Sequence, residues 1–304
     1  MLANDFKAQP WLATAEYFLN SGDLPAAEKA LLQGMQASPD HPVALALLGR
    51  LRKQQGRDRE AARALRRALR MEPENPDFLF NLALFQQQRG NLDSAEKLYL
   101  ELIARFPGHA DALANLGRLY QDRKQPDKAR QYYLRDLELR PEDPDSHFNL
   151  AFIQLLTGNY AQGWPEYEWR FKRAAAGRTY PHQFSQPRWQ GENLSGRTLL
   201  VHGEQGFGDN LQFLRYLPLV KEHGGRVLFE VANALYELLR GYPGCDRLLI
   251  FDHHTPCRED FDFYIPLLSL PGLFQTGVNQ IPAMQPPLAA PPAFREKWRQ
   301  KLAG

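Results

Sequence analysis

The pattern of apolar and polar positions changes midway along the chain. Through the first half, small and large apolar residues keep a fixed register. Ala27, Ala61, Ala95 and Ala129 recur every 34 residues, with Leu48, Leu65, Leu82, Tyr99, Leu116 and Tyr133 around them. Pro39, Pro73, Pro107 and Pro141 share that 34-residue spacing, and Gly22, Gly56, Gly90 and Gly158 fall in the same register. A glycine turn in each period and a proline closing it predict two helices per period. Small alanines belong where paired helices cross closely, and the larger side chains fill the space beside them. From residue 197 the pattern becomes short apolar runs alternating with helical spacing. It predicts strands at 198–202, 226–231, 247–251 and 262–266, and helices at 210–222, 233–241 and 267–274. Such alternation predicts a small parallel, doubly wound sheet.

The 34-residue period with these residues resembles the tetratricopeptide repeat. Four good repeats cover roughly 8–141, and a divergent fifth begins at Asp145, keeping Leu150 and Gly158. The expected domains are a tetratricopeptide superhelix over 1–175, a connector over 176–196, a Rossmann-like lobe over 197–280, and a proline-rich linker with the start of a helix over 281–304. Repeat arrays of this kind grip extended peptides or partner helices on an inner surface. Asn81, Asn115 and Asn149 hold one position in three successive repeats. They predict a ladder of amides able to bond a peptide backbone without reading its sequence. Asparagine is also an ordinary occupant of this repeat position. The ladder resembles that lining the repeat superhelix of protein O-GlcNAc transferases.

The second repeat is rich in arginine, from Arg50 to Arg70. Without interleaved aromatic residues this reads as a solvated outer face rather than a nucleic-acid surface. In the fifth repeat Trp164, Tyr167 and Phe171 share a helical face. Solvent is a poor neighbour for that face, which predicts docking onto the following domain.

The stretch from Arg197 to Pro218, RTLLVHGEQGFGDNLQFLRYLP, carries the candidate chemistry. A strand, a turn with Gly203, Gly206 and Gly208, and a helix start place backbone N–H groups where an anion is favoured. Gly-Asp-Asn stands where a phosphate-binding P-loop needs Gly-Lys-Ser/Thr, and the glycine order is the reverse of the dinucleotide fingerprint. Glu230, at the end of the next strand, does sit where a ribose-binding acid belongs, which keeps nicotinamide binding as a third reading.

Charge is nearly balanced, 37 basic against 35 acidic residues, which points to neither nucleic acid nor a membrane surface. The amino terminus lacks the basic flank and apolar run of a secretion signal, and no membrane span is expected. Cys245 and Cys257 are too few for a disulfide framework or a metal site. These features predict a soluble, cytoplasmic protein without metal.

From Gly163 onward the chain resembles the non-repeat portion of bacterial tetratricopeptide proteins related to GT-B glycosyltransferases. The matching pieces are GWPEYEWR, QPRWQGENLSGRTLLVHGEQGFGDNLQFLRYLPLV, PGCDRLLIF and FDFYIPLLSLPGLF. Within them, GFGDNLQFLRYLP resembles the Gly-Asp turn of heptosyltransferases. The resemblance implies Asp209 as general base toward an acceptor hydroxyl; helix capping is the other role open to it. His202 is placed as an assistant, and Gly203, Glu204, Gln205, Gly206, Gly208 and Asn210 as a ligand-binding turn. In that family the sugar nucleotide binds a second, carboxyl-terminal lobe. The chain ends near where such a lobe should start, so no cofactor is expected here and the donor site is expected in a missing lobe of the same gene product. The partner expected for the repeats is a protein or extended peptide. A pure interaction scaffold with a vestigial lobe is the alternative.

Overall fold

The computed structural model describes residues 9–174, 176, 182, 184–204, 206–251, 259–284, 288–290 and 292–303. The chain divides into two compact units, 1–142 and 143–304.

The first unit is four antiparallel helix pairs. They are α1 (Pro10–Ser21) with α2 (Leu24–Ala37), α3 (Pro42–Gln54) with α4 (Asp58–Met71), α5 (Pro76–Gln88) with α6 (Leu92–Arg105), and α7 (Ala110–Asp122) with α8 (Pro126–Leu139). Gly22, Gly56 and Gly90 turn the chain within a pair at φ of +82°, +74° and +76°. In the fourth pair Lys124 takes that place at φ +57°, a left-handed conformation that a side chain adopts only at a cost. Proline or a capping residue opens most helices; Asp23 accepts a hydrogen bond from the Ala26 N–H at 3.1 Å.

Ala27, Ala61, Ala95 and Ala129 are fully buried, and so is Tyr133 behind Gly117. A Cβ added to Gly117 lies 2.5 Å from the Tyr133 ring, so the two helices touch at backbone distance there. The buried tyrosines are anchored alike: Tyr99 donates to Gln87 Oε1 and Tyr133 to Gln121 Oε1, each at 3.0 Å. In the arginine-rich second repeat, Arg59, Arg63, Arg66, Arg67 and Arg70 are exposed, as a solvated outer face requires. Arg52 departs from that picture. It is buried and pairs with Glu28 at 2.6 Å.

The second unit opens with the fifth repeat, α9 (Pro144–Leu156) and α10 (Tyr160–Tyr167), followed by a 3₁₀ turn at Glu168–Lys172. Asp143 caps α9 by accepting from the Ser146 N–H at 2.9 Å. The sheet contains β1 (Thr198–His202), β2 (Arg226–Ala232), β3 (Arg247–Phe251) and β4 (Phe263–Pro266). All pairs are parallel, in the order β3-β2-β1-β4. Arg188 adds a bridge on the far side of Tyr264 in β4. Four strand ranges therefore match the apolar runs to within a residue.

The helix expected at 210–222 begins three residues early and is broken in two. It forms α11 (Phe207–Phe213), a 3₁₀ turn at Leu214–Tyr216, and α12 (Leu217–Lys221). Pro218 has no N–H to continue the ladder and sits in the first turn of α12, where none is needed. Between β2 and β3 lies α13 (Asn233–Leu239), and after β4 come α14 (Leu270–Leu273) and α15 (Pro292–Leu302).

Alternation along the strands separates two faces. Leu199, Val201, Val227, Phe229, Val231 and Ile265 enter one core with Trp189, Leu214, Leu217, Val220 and Leu235. The residues between them, including His202, Glu230 and Tyr264, belong to the opposite face.

The fifth repeat packs into the same unit as the sheet, as its aromatic face predicts. Trp164 Nε1 donates to the Thr276 carbonyl at 3.0 Å, and its ring meets Phe213 edge-on at 6.3 Å.

Candidate functional site

The turn after β1 is fixed by side chains from several elements. The Gly203 N–H donates to the Glu230 carbonyl at 2.7 Å. A Cβ on Gly203 would lie 2.5 Å from Asn210 Oδ1, so this position admits only glycine. Asn210 is 3 % exposed and staples the turn. Its Nδ2 donates to the carbonyls of Glu204 and Gly206 at 2.6 and 2.7 Å, and its Oδ1 accepts from the Glu204 N–H at 3.2 Å. Gly206 supplies the N-cap of α11 at φ +97°. An added Cβ on Gly208 meets open space. Gln205 lies outside the described residues.

Glu204 turns inward. Its carboxylate accepts two hydrogen bonds from Arg170, each 2.9 Å, and one from the Leu268 N–H at 3.1 Å. Side chains of both partners are 1 % exposed. Arg170 also donates to Glu168 and to Ser269 Oγ at 2.8 Å. Burial opposes the charge on Arg170, but the Glu204 carboxylate outweighs it and the pKa rises further. A planar, two-pronged pairing of this kind ties the fifth repeat to the glycine turn.

Asp209 differs from both neighbours. It lies in the first turn of α11 and is exposed. The helix has no side-chain cap, so Asp209 does not cap it. The turn thus presents one solvent-facing carboxylate while its other described polar side chains are bound within the protein.

His202 ends β1 and is 3 % exposed. Burial, then the neighbouring His182, push its pKa down to about 3, so the ring is neutral. A ring so held is a poor proton acceptor for catalysis at neutral pH. His182 was not singled out by motif. It comes from the connector, 4.5 Å from His202 between ring centroids, with Nε2 3.1 Å from Glu230 Oε2. Glu230, placed by sequence as a ribose-binding acid, therefore faces an imidazole. Only its position one strand over from His202 hinted at this.

Cys245 is half-buried, and burial with Asp246 raises its thiol to about 11, which suits packing rather than reactivity. Cys257 lies outside the described residues. Among the described residues no group of His, Cys, Asp or Glu could hold a metal ion, and no helix is long and apolar enough to cross a membrane.

In the first unit, Asn81 lines a cavity of about 180 Å³ with Arg50, Lys53, Gln54, Leu84 and Gln88. Asn115 is half-buried, and its Oδ1 accepts from Arg118 at 3.1 Å. Asn149, in α9 of the second unit, is half-buried too.

The sequence model of the tetratricopeptide repeat matches residues 46–110, 86–144 and 114–168. Protein FlbA of Caulobacter vibrioides is 37% identical over 83 residues, covering 27% of this chain and 14% of that protein. The chain thus spans about a seventh of that curated relative. A solved structure of PilF from Pseudomonas aeruginosa has a TM-score of 0.52 at 20% identity, covering 56% of this chain and 78% of the other. A tetratricopeptide repeat protein from Parabacteroides merdae has a TM-score of 0.44 at 26% identity, covering 54% and 65%. The chain carries tetratricopeptide repeats, a protein-interaction module, followed by a small four-stranded parallel sheet.

Proposed function

We propose that the repeats hold an extended protein segment and that the sheet is the acceptor-side lobe of a GT-B-like glycosyltransferase, Rossmann-like in kind. One observation carries the reading of the lobe: of the described carboxylates in the glycine turn at the carboxyl end of β1, Glu204 is bound inside the protein and Asp209 is exposed. A carboxylate at this place can take the proton of an acceptor hydroxyl as that oxygen attacks a sugar. The donor nucleotide sugar, on this reading, is bound outside residues 197–280, by a further lobe of the same gene product. A cytoplasmic site of action accords with a nucleotide-sugar donor.

The inward-turned Glu204 and Asn210 favour a second reading, in which the turn is only the joint between the last repeat and the sheet and the chain is an interaction scaffold. Both readings share the peptide-holding repeats.

The asparagines of the first unit are tested with Asn81→Ala and Asn115→Ala combined. Each amide–backbone bond contributes about 1 kcal/mol, so peptide affinity should fall about tenfold or more while the melting temperature holds. Peptides recovered from the natural host's proteins by crosslinking to the wild-type groove serve as ligands. Unchanged affinity in the folded double variant would reduce these asparagines to repeat consensus.

A further inference from the structure

A cavity of about 350 Å³ opens on the face of the sheet opposite its main core, lined by Phe171, His182, Arg188, His202, Tyr264 and Pro266. Among the described residues, none from Gly203 to Asn210 contributes to its wall. His202 closes β1 and Pro266 closes β4. From β1 the sheet runs through β2 to β3 on one side and to β4 on the other, so the order reverses between β1 and β4. Open parallel sheets bind ligands at the carboxyl ends of strands at such a reversal.

The wall is polar yet balanced in charge. The Arg188 guanidinium contacts the Glu168 carboxylate, and His182 pairs with Glu230, which is 4 % exposed. Glu230 Oε2 receives no hydrogen bond among the described residues, because its contact with His182 satisfies distance but not direction. His202 is neutral. Its Nδ1 lies 3.3 Å from the Gly203 carbonyl and donates there, which leaves Nε2 as an acceptor without a hydrogen bond among the described residues. Phe171, Tyr264 and the imidazoles supply flat apolar walls, and Tyr264 adds a hydroxyl.

An occupant of this cavity must donate to His202 and accept from Arg188, and lay C–H faces on rings. Phosphate and other anions mainly accept, and they meet the carboxylates of Glu168 and Glu230 behind the wall, which repel them. A hydroxyl group does both. We propose that this cavity is a binding site for a neutral, polyhydroxylated ring of monosaccharide size, held by His202, Arg188 and Tyr264. Its volume lies at the small end of ligand pockets, about 300–1,000 Å³. Among the described residues its wall includes His202 but not Asp209. Such a site deepens the reading of the lobe as sugar-handling, and it stands whether or not Asp209 is a base.

The test is calorimetry or saturation-transfer NMR on the whole chain, titrated with glucose, galactose, N-acetylglucosamine and rhamnose, and separately with inorganic phosphate. At least one pyranose should bind saturably, and phosphate should not compete. His202→Phe keeps a ring in the packing and removes Nε2; Tyr264→Phe removes only the hydroxyl. Each should weaken the pyranose about three- to tenfold, the effect of one hydrogen bond, without lowering the melting temperature. No saturable pyranose binding, displacement by phosphate, or unaltered affinity in both folded variants would overturn the proposal. Because the readout is binding rather than sugar transfer, its failure is distinguishable from failure of the proposed catalytic role.

Discussion

At the level of single residues, Arg170 and Glu204 carry the largest stake. Each is nearly inaccessible and each is the other's main counter-charge. Removing one partner of a buried pair leaves an uncompensated charge, at a cost of about 3–5 kcal/mol. Arg170→Met should therefore strongly destabilise the second unit in urea unfolding. Arg170→Met combined with Glu204→Leu should recover most of that loss, because an apolar pair needs no compensation. A double variant as unstable as the single would mean that Glu168 and Ser269, not Glu204, are what Arg170 satisfies.

His202 gives a pH signature. Its folded pKa of about 3 lies below the ordinary value of 6.5, so the unfolded chain takes the proton first. The contribution of neutral His202 is complete above pH 6.5 and declines as pH falls toward 3, by about 1.4 kcal/mol per unit. His182, Arg188 and Glu230 share its surroundings, so the comparison is between variants. Between pH 7 and 5 the wild type should lose about 2 kcal/mol more than His202→Phe in urea unfolding. Parallel pH profiles would contradict a buried neutral imidazole. Neither feature is legible in sequence. The environment of His202 depends on His182, twenty positions earlier in a connector without pattern, and Glu204 is paired by an arginine in another domain as read from sequence.

Among the elements, the repeats were the legible part, because the first four each carry a crossing alanine and a closing proline, and all but the fourth of the five a turn glycine. The strands were legible from short apolar runs. What sequence missed was interruption by local chemistry: Pro218 splits one expected helix, and Lys124 replaces the turn glycine in the fourth repeat. The close crossing at Gly117 was also hidden, since a helical glycine announces nothing until Tyr133 is seen against it. Gly117→Ala gains helix propensity of about 1 kcal/mol but pushes into that ring, and overpacking costs about 1–3 kcal/mol. The melting temperature should fall by a few degrees. Gly108→Ala, whose new methyl meets nothing within 4 Å, should change it little. A more stable Gly117→Ala would show that the tyrosine moves freely.

At the scale of the whole chain, the last repeat and the sheet form one unit, joined by Trp164, Arg170 and Glu204. A peptide-holding module would thus end in the structure that bears Asp209. The central claim is that this carboxylate is a base, and Asp209→Asn tests it. Asparagine keeps shape, and Gly206 rather than Asp209 occupies the N-cap, so only the charge near the helix start changes, worth about 0.3–1 kcal/mol. The measurement is sugar transfer from nucleotide sugars to a hydroxyl acceptor, made in the longest natural chain carrying these residues, with melting temperature followed in parallel. The account predicts a rate lower by a factor of about 10²–10⁴ with melting nearly unchanged. Full transfer activity in folded Asp209→Asn would contradict it.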